Sequence, residues 1–455
     1  MKSVNPATGE TIRTYDEHDR DEVERRLRAA SVAQRAWERE PFERRAEKLS
    51  ALAELLVSGA ASYAELMANE MGKPVGEGRA EVEKCAWVCR FYAENGARFL
   101  ADELIASDAE KSYVAHRPLG IVLAVMPWNF PFWQVLRFGA PTLMAGNGAL
   151  LKHASNVTGC ALAIEELFAE AGFPAGLFAT LIVAEDVVGE LLENPLVAAA
   201  TLTGSVRAGR AVAAKAGAEI KKTVLELGGS DPYLVLEDAD IRAAAGSCVQ
   251  SRLINSGQSC IAAKRFIVVD TAREEFEREV VERFREVKVG PPLVPGSDVG
   301  PMARSDLRDT LQHQVRASVD RGARLLIGGE LPQGPGWFYP PTVLGDVQPG
   351  MPAFDEELFG PVAAIVAARD EEHAIELANA SEYGLGAAVF TRDRARGERI
   401  AAERLQAGAC FVNGIVRSDP RLPFGGIKRS GYGRELARHG ILEFVNAKTV
   451  YLEQG

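Results

Sequence analysis

Long apolar runs are missing from this sequence. No stretch approaches the ~20 consecutive apolar residues needed to cross a bilayer, and the opening "MKSVNPATGETIRTYDE" has no apolar core of the signal-peptide kind. The expectation is a cytoplasmic protein with no membrane partner. A basic excess is missing too: 52 Lys and Arg stand against 63 Asp and Glu, for a net charge of -11. Nucleic acid is therefore not an expected partner, because phosphate backbones need clustered cations. Cysteine is sparse. Cys85, Cys89, Cys160, Cys248, Cys260 and Cys410 are scattered over 455 residues, which argues against a disulfide framework, and their spacing fits no metal site.

What is present points to small-molecule chemistry in a multidomain chain, since 455 residues exceed a single core at roughly 150 residues per domain. The first hundred residues carry helical apolar stripes, in "DEVERRLRAASVAQRAWERE" and "PFERRAEKLSALAELLVSGAASYAELMANEMG", with a stop at Gly72 to Pro74. From residue 121, short β-branched runs ("IVLAVM", "GALLK", "FATLIV", "AATLTGS", "TVLELGG") alternate with helix-length segments. Alternation of this kind predicts an α/β fold with a parallel sheet and ligands at the carboxyl ends of its strands. It restarts after "ELGGSDP", with "YLVLED", "RFIVVD", "RLLIGG", "VAAIVA", "AAVFT" and "ACFVNG", so a second α/β domain is expected, with residues 229–232 as the hinge.

Among the cysteines only Cys260 sits in turn chemistry. Cys85 and Cys89 share a helical stripe with Val82, Val88 and Tyr92, Cys248 lies in a helical pattern, and Cys410 in a short strand, so these read as packing. "SGQSC" offers small residues, close approach and backbone N–H groups beside a thiol, the surroundings a cysteine nucleophile needs. Asn129 in "PWNFP" and Glu226 in "ELGG" each follow or close a strand.

The ordered set "PWNFP", "LTGS", "LELGG", "GQSC", "EELFGP" and "PFGGIKRSGYGRE", with Glu226 thirty-four residues before Cys260, resembles the NAD(P)-dependent aldehyde dehydrogenase superfamily over nearly the whole chain. The resemblance implies a Rossmann-like cofactor domain (1–100 and 119–229), a catalytic domain (230–428) and oligomerisation segments (101–118 and 429–455), with a homodimer or homotetramer as the assembly. It makes Cys260 the nucleophile, Asn129 the oxyanion donor and Glu226 the general base, with no metal. Pro127, Trp128, Lys152, Ser155, Gly204, Ser205, Gly209, Leu227, Glu357 and Phe359 would hold NADP or NAD. The absence of G-x-G-x-x-G agrees with this family's different way of holding its cofactor.

One departure bears on cofactor choice. Where the family usually carries a Glu for the adenosine ribose, "KHASN" has Ser155, and Ser beside Lys152 can accept a 2'-phosphate that a carboxylate would repel. NADP should be usable and is expected to be preferred; the alternative makes Ser155 a helix cap. For the substrate, Trp133 and Arg137 lie four apart on a helix expected to begin near Pro131, and Arg137 with Ser418 and Phe424 resembles the carboxylate site of succinate-semialdehyde dehydrogenases. Ile254 stands where some semialdehyde enzymes have a second Arg. The other readings are a broad aliphatic or aromatic aldehyde dehydrogenase with a salt-bridged Arg137, and a non-catalytic protein that retains the fold.

Overall fold

The computed structural model describes residues 1–454. A hairpin of β1 (Lys2–Val4) and β2 (Thr11–Thr14) precedes three helices, α1 (Arg20–Trp37), α2 (Phe42–Met71) and α3 (Val75–Phe99). Gly72 ends α2 in the left-handed region, φ 80°, as the sequence expectation of a stop required. α2 has the length and mean hydropathy of a bilayer span over one 18-residue window. Its Leu49, Leu52, Leu56, Met67 and Met71 are instead buried in one core with Val82, Cys85 and Cys89 of α3.

β3 (Glu103–Leu104) and β4 (Lys111–Pro118) come next. The chain then runs through β5 (Ile121–Met126), α4 (Trp133–Met144), β6 (Gly148–His153), α5 (Thr158–Glu170), β7 (Phe178–Thr180), α6 (Val187–Glu193), β8 (Val197–Thr203), α7 (Val206–Ala218) and β9 (Lys222–Glu226). The second alternation holds β10 (Pro232–Val235), α8 (Ile241–Leu253), β11 (Arg265–Val269), β12 (Arg324–Ile327), β13 (Thr342–Gly345), β14 (Val362–Ala368), β15 (Tyr383–Gly384), β16 (Gly386–Phe390) and β17 (Ala409–Val412). β18 (Ile427–Lys428), β19 (Gly431–Tyr432) and β20 (Val445–Leu452) complete the strands.

Two sheets dominate. The first has the order β19-β9-β8-β5-β6-β7, parallel except at β19, and the second β12-β13-β14-β11-β10-β16-β17, parallel except at β12. Their central strands are buried on both faces, as near-continuous apolar runs such as "IVLAVM" require. β20, β4 and β3 form a separate antiparallel sheet, made of the two segments the sequence reading set aside for oligomerisation. β19 departs from that division by joining the edge of the first sheet. Register pairs Met126 with His153 and Thr203 with Glu226, so β5, β6, β8 and β9 end at one edge. The polar residues after those strands gather there, as parallel sheets with crossover helices dictate.

Candidate active site

The loop before β11 is held in an unfavourable backbone form. Asn255, Ser256 and Gly257 have φ of 54°, 56° and 74°, and non-glycine residues in that region cost about 1–3 kcal/mol each unless their surroundings fix them. Here the surroundings do. Asn255 N donates to both Glu77 carboxylate oxygens at 3.0 Å, its Nδ2 donates to Asn129 O at 2.7 Å and Gln258 O at 3.0 Å, and Ser256 Oγ accepts from Gly300 N at 2.9 Å. A Cβ on Gly257 would collide with the Gly360 carbonyl group. Glycine at 257 is therefore what allows "SGQSC" to lie directly on "EELFGP".

Lys264 then sets the direction of the peptide planes around the thiol. Fully buried, it donates through Nζ to the carbonyls of Ser259 (2.9 Å), Cys260 (2.7 Å) and Ala262 (3.1 Å). A planar trans peptide points its N–H opposite its C=O, so the N–H groups of Cys260 and Ile261 face away from Lys264. Neither has a hydrogen-bond partner among the described residues. Asn129 completes this side. Its Nδ2 donates to Gln258 O at 3.1 Å, and its Oδ1 accepts from Gln134 Nε2 at 3.1 Å, which fixes the amide orientation. The second Nδ2–H has no hydrogen-bond partner among the described residues.

The turn carrying Asn129 is pinned by His153. Its ring nitrogens meet two carbonyls, Nδ1 at 3.1 Å from Met126 O and Nε2 at 3.0 Å from Pro131 O, and Ala154 N lies 3.0 Å from Nδ1. Burial pushes this imidazole down to about 4. α4 begins at Trp133 rather than near Pro131, because the N–H groups of Phe132 and Trp133 are capped by Glu81 Oε1 from α3, both at 2.9 Å. That cap is tertiary and leaves no local signature.

Glu226 ends β9 with 2 % exposure and an unpartnered Oε1. Gly425 makes room for it: a Cβ there would lie 2.7 Å from that oxygen. Burial first, then the Glu435 charge, pushes the Glu226 carboxyl well above the ordinary carboxylate range, against Arg137 and Arg434. Burial likewise pushes the Cys260 thiol up to about 12, opposed by Lys264 and Arg137. Both shifts favour the protonated forms of these two groups. Glu357 is held by Gly229 N at 3.0 Å, with Lys264 Nζ 3.7 Å away, and a Cβ on Gly228 would collide with it. Trp128 meets Phe359 edge-on at 5.7 Å, closing "PWNFP" onto "ELFGP".

At the sheet edge, Lys152 is 6 % exposed, and its Nζ has no hydrogen bond or ion pair among the described residues. Burial lowers its pKa. Ser155 is exposed at the start of a 3-10 turn and makes no capping hydrogen bond, so the helix-cap alternative fails. A buried ammonium without a partner and, three residues on, an exposed hydroxyl without one are donors suited to a phosphate monoester. Gly204 and Gly209 differ from their expected part: their N–H groups donate to Glu226 O and Ser205 O at 2.9 Å. Gly209 instead lets α7 approach Leu227, where a Cβ would lie 2.6 Å from a leucine methyl. Ser205 caps α7 by accepting from Ala208 N at 3.2 Å. The free N–H groups at this helix start, among the described residues, are those of Ser205, Val206 and Arg207, and they can bind an anion.

At the substrate end the structure supplies partners that sequence reading missed. Arg137, 3 % exposed, forms an ion pair with Glu435 and lies 4.8 Å from the Phe424 ring. The ion pair balances its charge, while its Nε and Nη2 have no hydrogen-bond partner among the described residues. Ser418 accepts from Lys84 Nζ at 2.8 Å, not from Arg137, and that ammonium sits 4.2 Å from the Trp133 ring. Trp133 and Phe424 belong to the apolar cluster against which Cys260 packs. A lysine bordering the α3 stripe of Val82, Cys85, Val88 and Tyr92 was the available signal for Lys84.

A family model described as "Aldehyde dehydrogenase family" matches residues 1–450. A probable succinate-semialdehyde dehydrogenase (NADP(+)) of Synechocystis sp. is 50 % identical over 452 residues, covering 99 % of each chain. The succinate semialdehyde dehydrogenase (NAD(P)+) Sad of Escherichia coli is 47 % identical, covering 99 % of this chain and 98 % of its own. Among solved structures, succinic semialdehyde dehydrogenase from Streptococcus pyogenes in complex with NADP+ superposes with a TM-score of 0.97 at 36 % identity, over 100 % of both chains.

Proposed function

Because this chain belongs to the aldehyde dehydrogenase family, an NAD(P)-dependent oxidoreductase that converts aldehydes to acids, we infer that its substrate is succinate semialdehyde and its preferred cofactor NADP. The observation that carries the substrate class is the Ser418 hydroxyl held by the Lys84 ammonium behind Trp133, in a chain whose relatives are succinate-semialdehyde dehydrogenases. Trp133 and Phe424 flank the carbon chain, and Arg137 bounds this end with its charge balanced by Glu435.

The residues act in a set order. Cys260, its thiol proton released to solvent, adds through Sγ to the aldehyde carbon, and the oxyanion of the resulting thiohemiacetal faces the Cys260 N–H and the free Asn129 Nδ2–H. Loss of one such donor costs ~2.7–4 kcal/mol of barrier. A bound NAD(P)+ would supply the hydride acceptor for this carbon. The thioester left on Cys260 is cleaved by water whose proton Glu226 takes, releasing the acid and restoring the thiol. Lys152 and Ser155 would hold the 2'-phosphate, and Glu357 and Phe359 the nicotinamide end. The division into cofactor domain (1–100 and 119–229), catalytic domain (230–428) and assembly segments is part of the same reading. Leu104, Ile105, Tyr451 and Leu452, exposed on or beside the separate sheet, support a homo-oligomer formed there.

The test is initial-rate kinetics with succinate semialdehyde, butanal and benzaldehyde against NADP+ and NAD+. The expected result is a kcat/KM for succinate semialdehyde ten- to a hundredfold above butanal, the worth of one charge-assisted contact of ~1.5–3 kcal/mol. Equal efficiencies on all three would make this a broad-specificity enzyme.

A further inference from the structure

We propose that Glu77 is a positioning residue for the reaction: with Glu81, one helical turn further along α3, it sets the separation between the loop that carries the thiol and the Asn129 amide. The proposal rests on aldehyde oxidation through Cys260 and Asn129, and not on which aldehyde is used. The two carboxylates point at different halves of the site. Glu77 accepts the Asn255 N–H on both oxygens at 3.0 Å, in the loop that leads to Cys260. Glu81 Oε1 accepts the N–H groups of Phe132 and Trp133, both at 2.9 Å, where the turn of Asn129 enters α4. Each half of the oxyanion site is thus tied to the same helix.

Spacing makes the two ties act together. Residues four apart lie on one helix face about 6 Å along the axis, so the hydrogen-bonded helix fixes the distance between the two anchor points. The halves are also joined directly: Asn255 Nδ2 donates to Asn129 O at 2.7 Å and to Gln258 O at 3.0 Å, and Asn129 Nδ2 donates to the same Gln258 O at 3.1 Å. A shift of Asn255 therefore reaches Asn129 and the thiol loop at once. With φ 54°, Asn255 holds a form that a non-glycine residue keeps only under constraint. Among the described residues, only Glu77 takes its N–H.

The start of α3 is itself fixed against both halves. Lys73, fully buried, pairs with Glu81 and lies 3.9 Å from the ring of Phe130, the residue after Asn129. On the other side, a Cβ on Gly300 would collide with the Gly72 carbonyl, and Gly300 N donates to Ser256 Oγ at 2.9 Å. The Gly72 to Pro74 stop thus does more than end a helix. Burial pushes the Glu77 carboxyl up to about 7, opposed by the Asn255 N–H and Lys73 and reinforced by Glu81, so at about pH 8 it is mostly ionised. A neutral side chain that merely filled the space would avoid that cost.

The experiment measures the first turnover of the full-length enzyme at about pH 8, as the burst of reduced cofactor that reports thiol addition and hydride transfer before hydrolysis. Glu77→Ala should lower the burst rate roughly ten- to a hundredfold with succinate semialdehyde and with butanal alike, the loss expected for a displacement of about 1 Å. The half-saturating aldehyde concentration and NADP+ affinity by calorimetry should stay within about twofold. Glu77→Gln keeps one acceptor oxygen for the Asn255 N–H and should recover part of the rate. A double-mutant cycle supplies the readout that a purely structural role would not move. Asn129→Ala alone should cost about 10²–10³, and adding Glu77→Ala should cost less than about threefold more, because the relation Glu77 maintains has already lost one partner. If the alanine variant does not fold, the same cycle run with Glu77→Gln decides. Losses that multiply, or a Glu77→Ala enzyme with the wild-type burst rate, overturn the proposal alone. An Asn129→Ala enzyme as fast as wild type overturns the oxyanion assignment and the proposal together.

Discussion

Arg137 on α4 and Glu435, beyond β19, form an ion pair buried on both sides, and the Glu226 carboxyl feels both charges. Removing one member of such a pair leaves an uncompensated buried charge, at about 3–5 kcal/mol. Arg137→Met should therefore lower the melting temperature and reduce oxidation of succinate semialdehyde and butanal alike. Adding Glu435→Gln should recover much of the loss. Thermal melts and a double-mutant cycle measure both effects; a loss confined to succinate semialdehyde would return Arg137 to the substrate.

Cys260→Ser should preserve the fold, since Lys264 holds backbone carbonyls rather than the thiol. Turnover should vanish, because a hydroxyl ionises far less readily than a thiol. Melting temperature and NADP+ binding by calorimetry should match wild type. Substantial aldehyde oxidation by the variant would remove Cys260 from the nucleophile's place.

Glu226→Gln separates the two halves of the reaction. Acylation of Cys260 should survive and hydrolysis should slow by about 10²–10⁴, giving a burst of reduced cofactor and a trapped acyl-enzyme visible by intact mass. The wild-type pH profile carries the sign. Because the Glu226 pKa is raised, its base form is scarce at low pH and grows as pH rises, so hydrolysis should accelerate toward alkaline pH. A variant without a burst, or with an unchanged steady rate, would assign the base elsewhere.

The two-sheet α/β fold was legible because β5, β6 and β8 are buried on both faces and read as apolar runs bounded by turns. β13 was not: four residues after "YPP" leave too short a run to distinguish from loop. Within the site, Asn129, Glu226 and Cys260 stood out because each is a reactive side chain at a strand end or in a tight turn. Lys84, Lys264 and Glu435 did not, since their chemistry arises from partners that folding alone brings near. The same limit explains Arg137, whose helical position was right but whose partner lay 298 residues away in sequence.

Ser155→Glu tests the cofactor end. A carboxylate beside Lys152 should bind a ribose diol and repel a 2'-phosphate, moving the ratio of efficiencies toward NAD by about tenfold or more, or ~1.4 kcal/mol. Since Ser155 makes no capping hydrogen bond, melting temperature should hardly change. An unaltered NADP/NAD ratio would show that the phosphate is bound elsewhere.

His153 makes stability depend on acidity. Its folded-state value of about 4 lies below the ordinary 6.5, so the unfolded chain binds the proton more readily than the folded one. The stability associated with the neutral ring is fully present above pH 6.5 and is lost as pH falls toward 4, on the order of 3 kcal/mol over that window. The carbonyls at its two ring nitrogens, Met126 O and Pro131 O, oppose this shift without cancelling it. His153→Gln keeps a donor for Pro131 O and does not titrate. Between pH 7.5 and 4.5 its melting temperature should therefore fall less steeply than that of wild type, and it should retain more activity at the acid end. Parallel melting curves for the two proteins would locate the acid-sensitive group elsewhere.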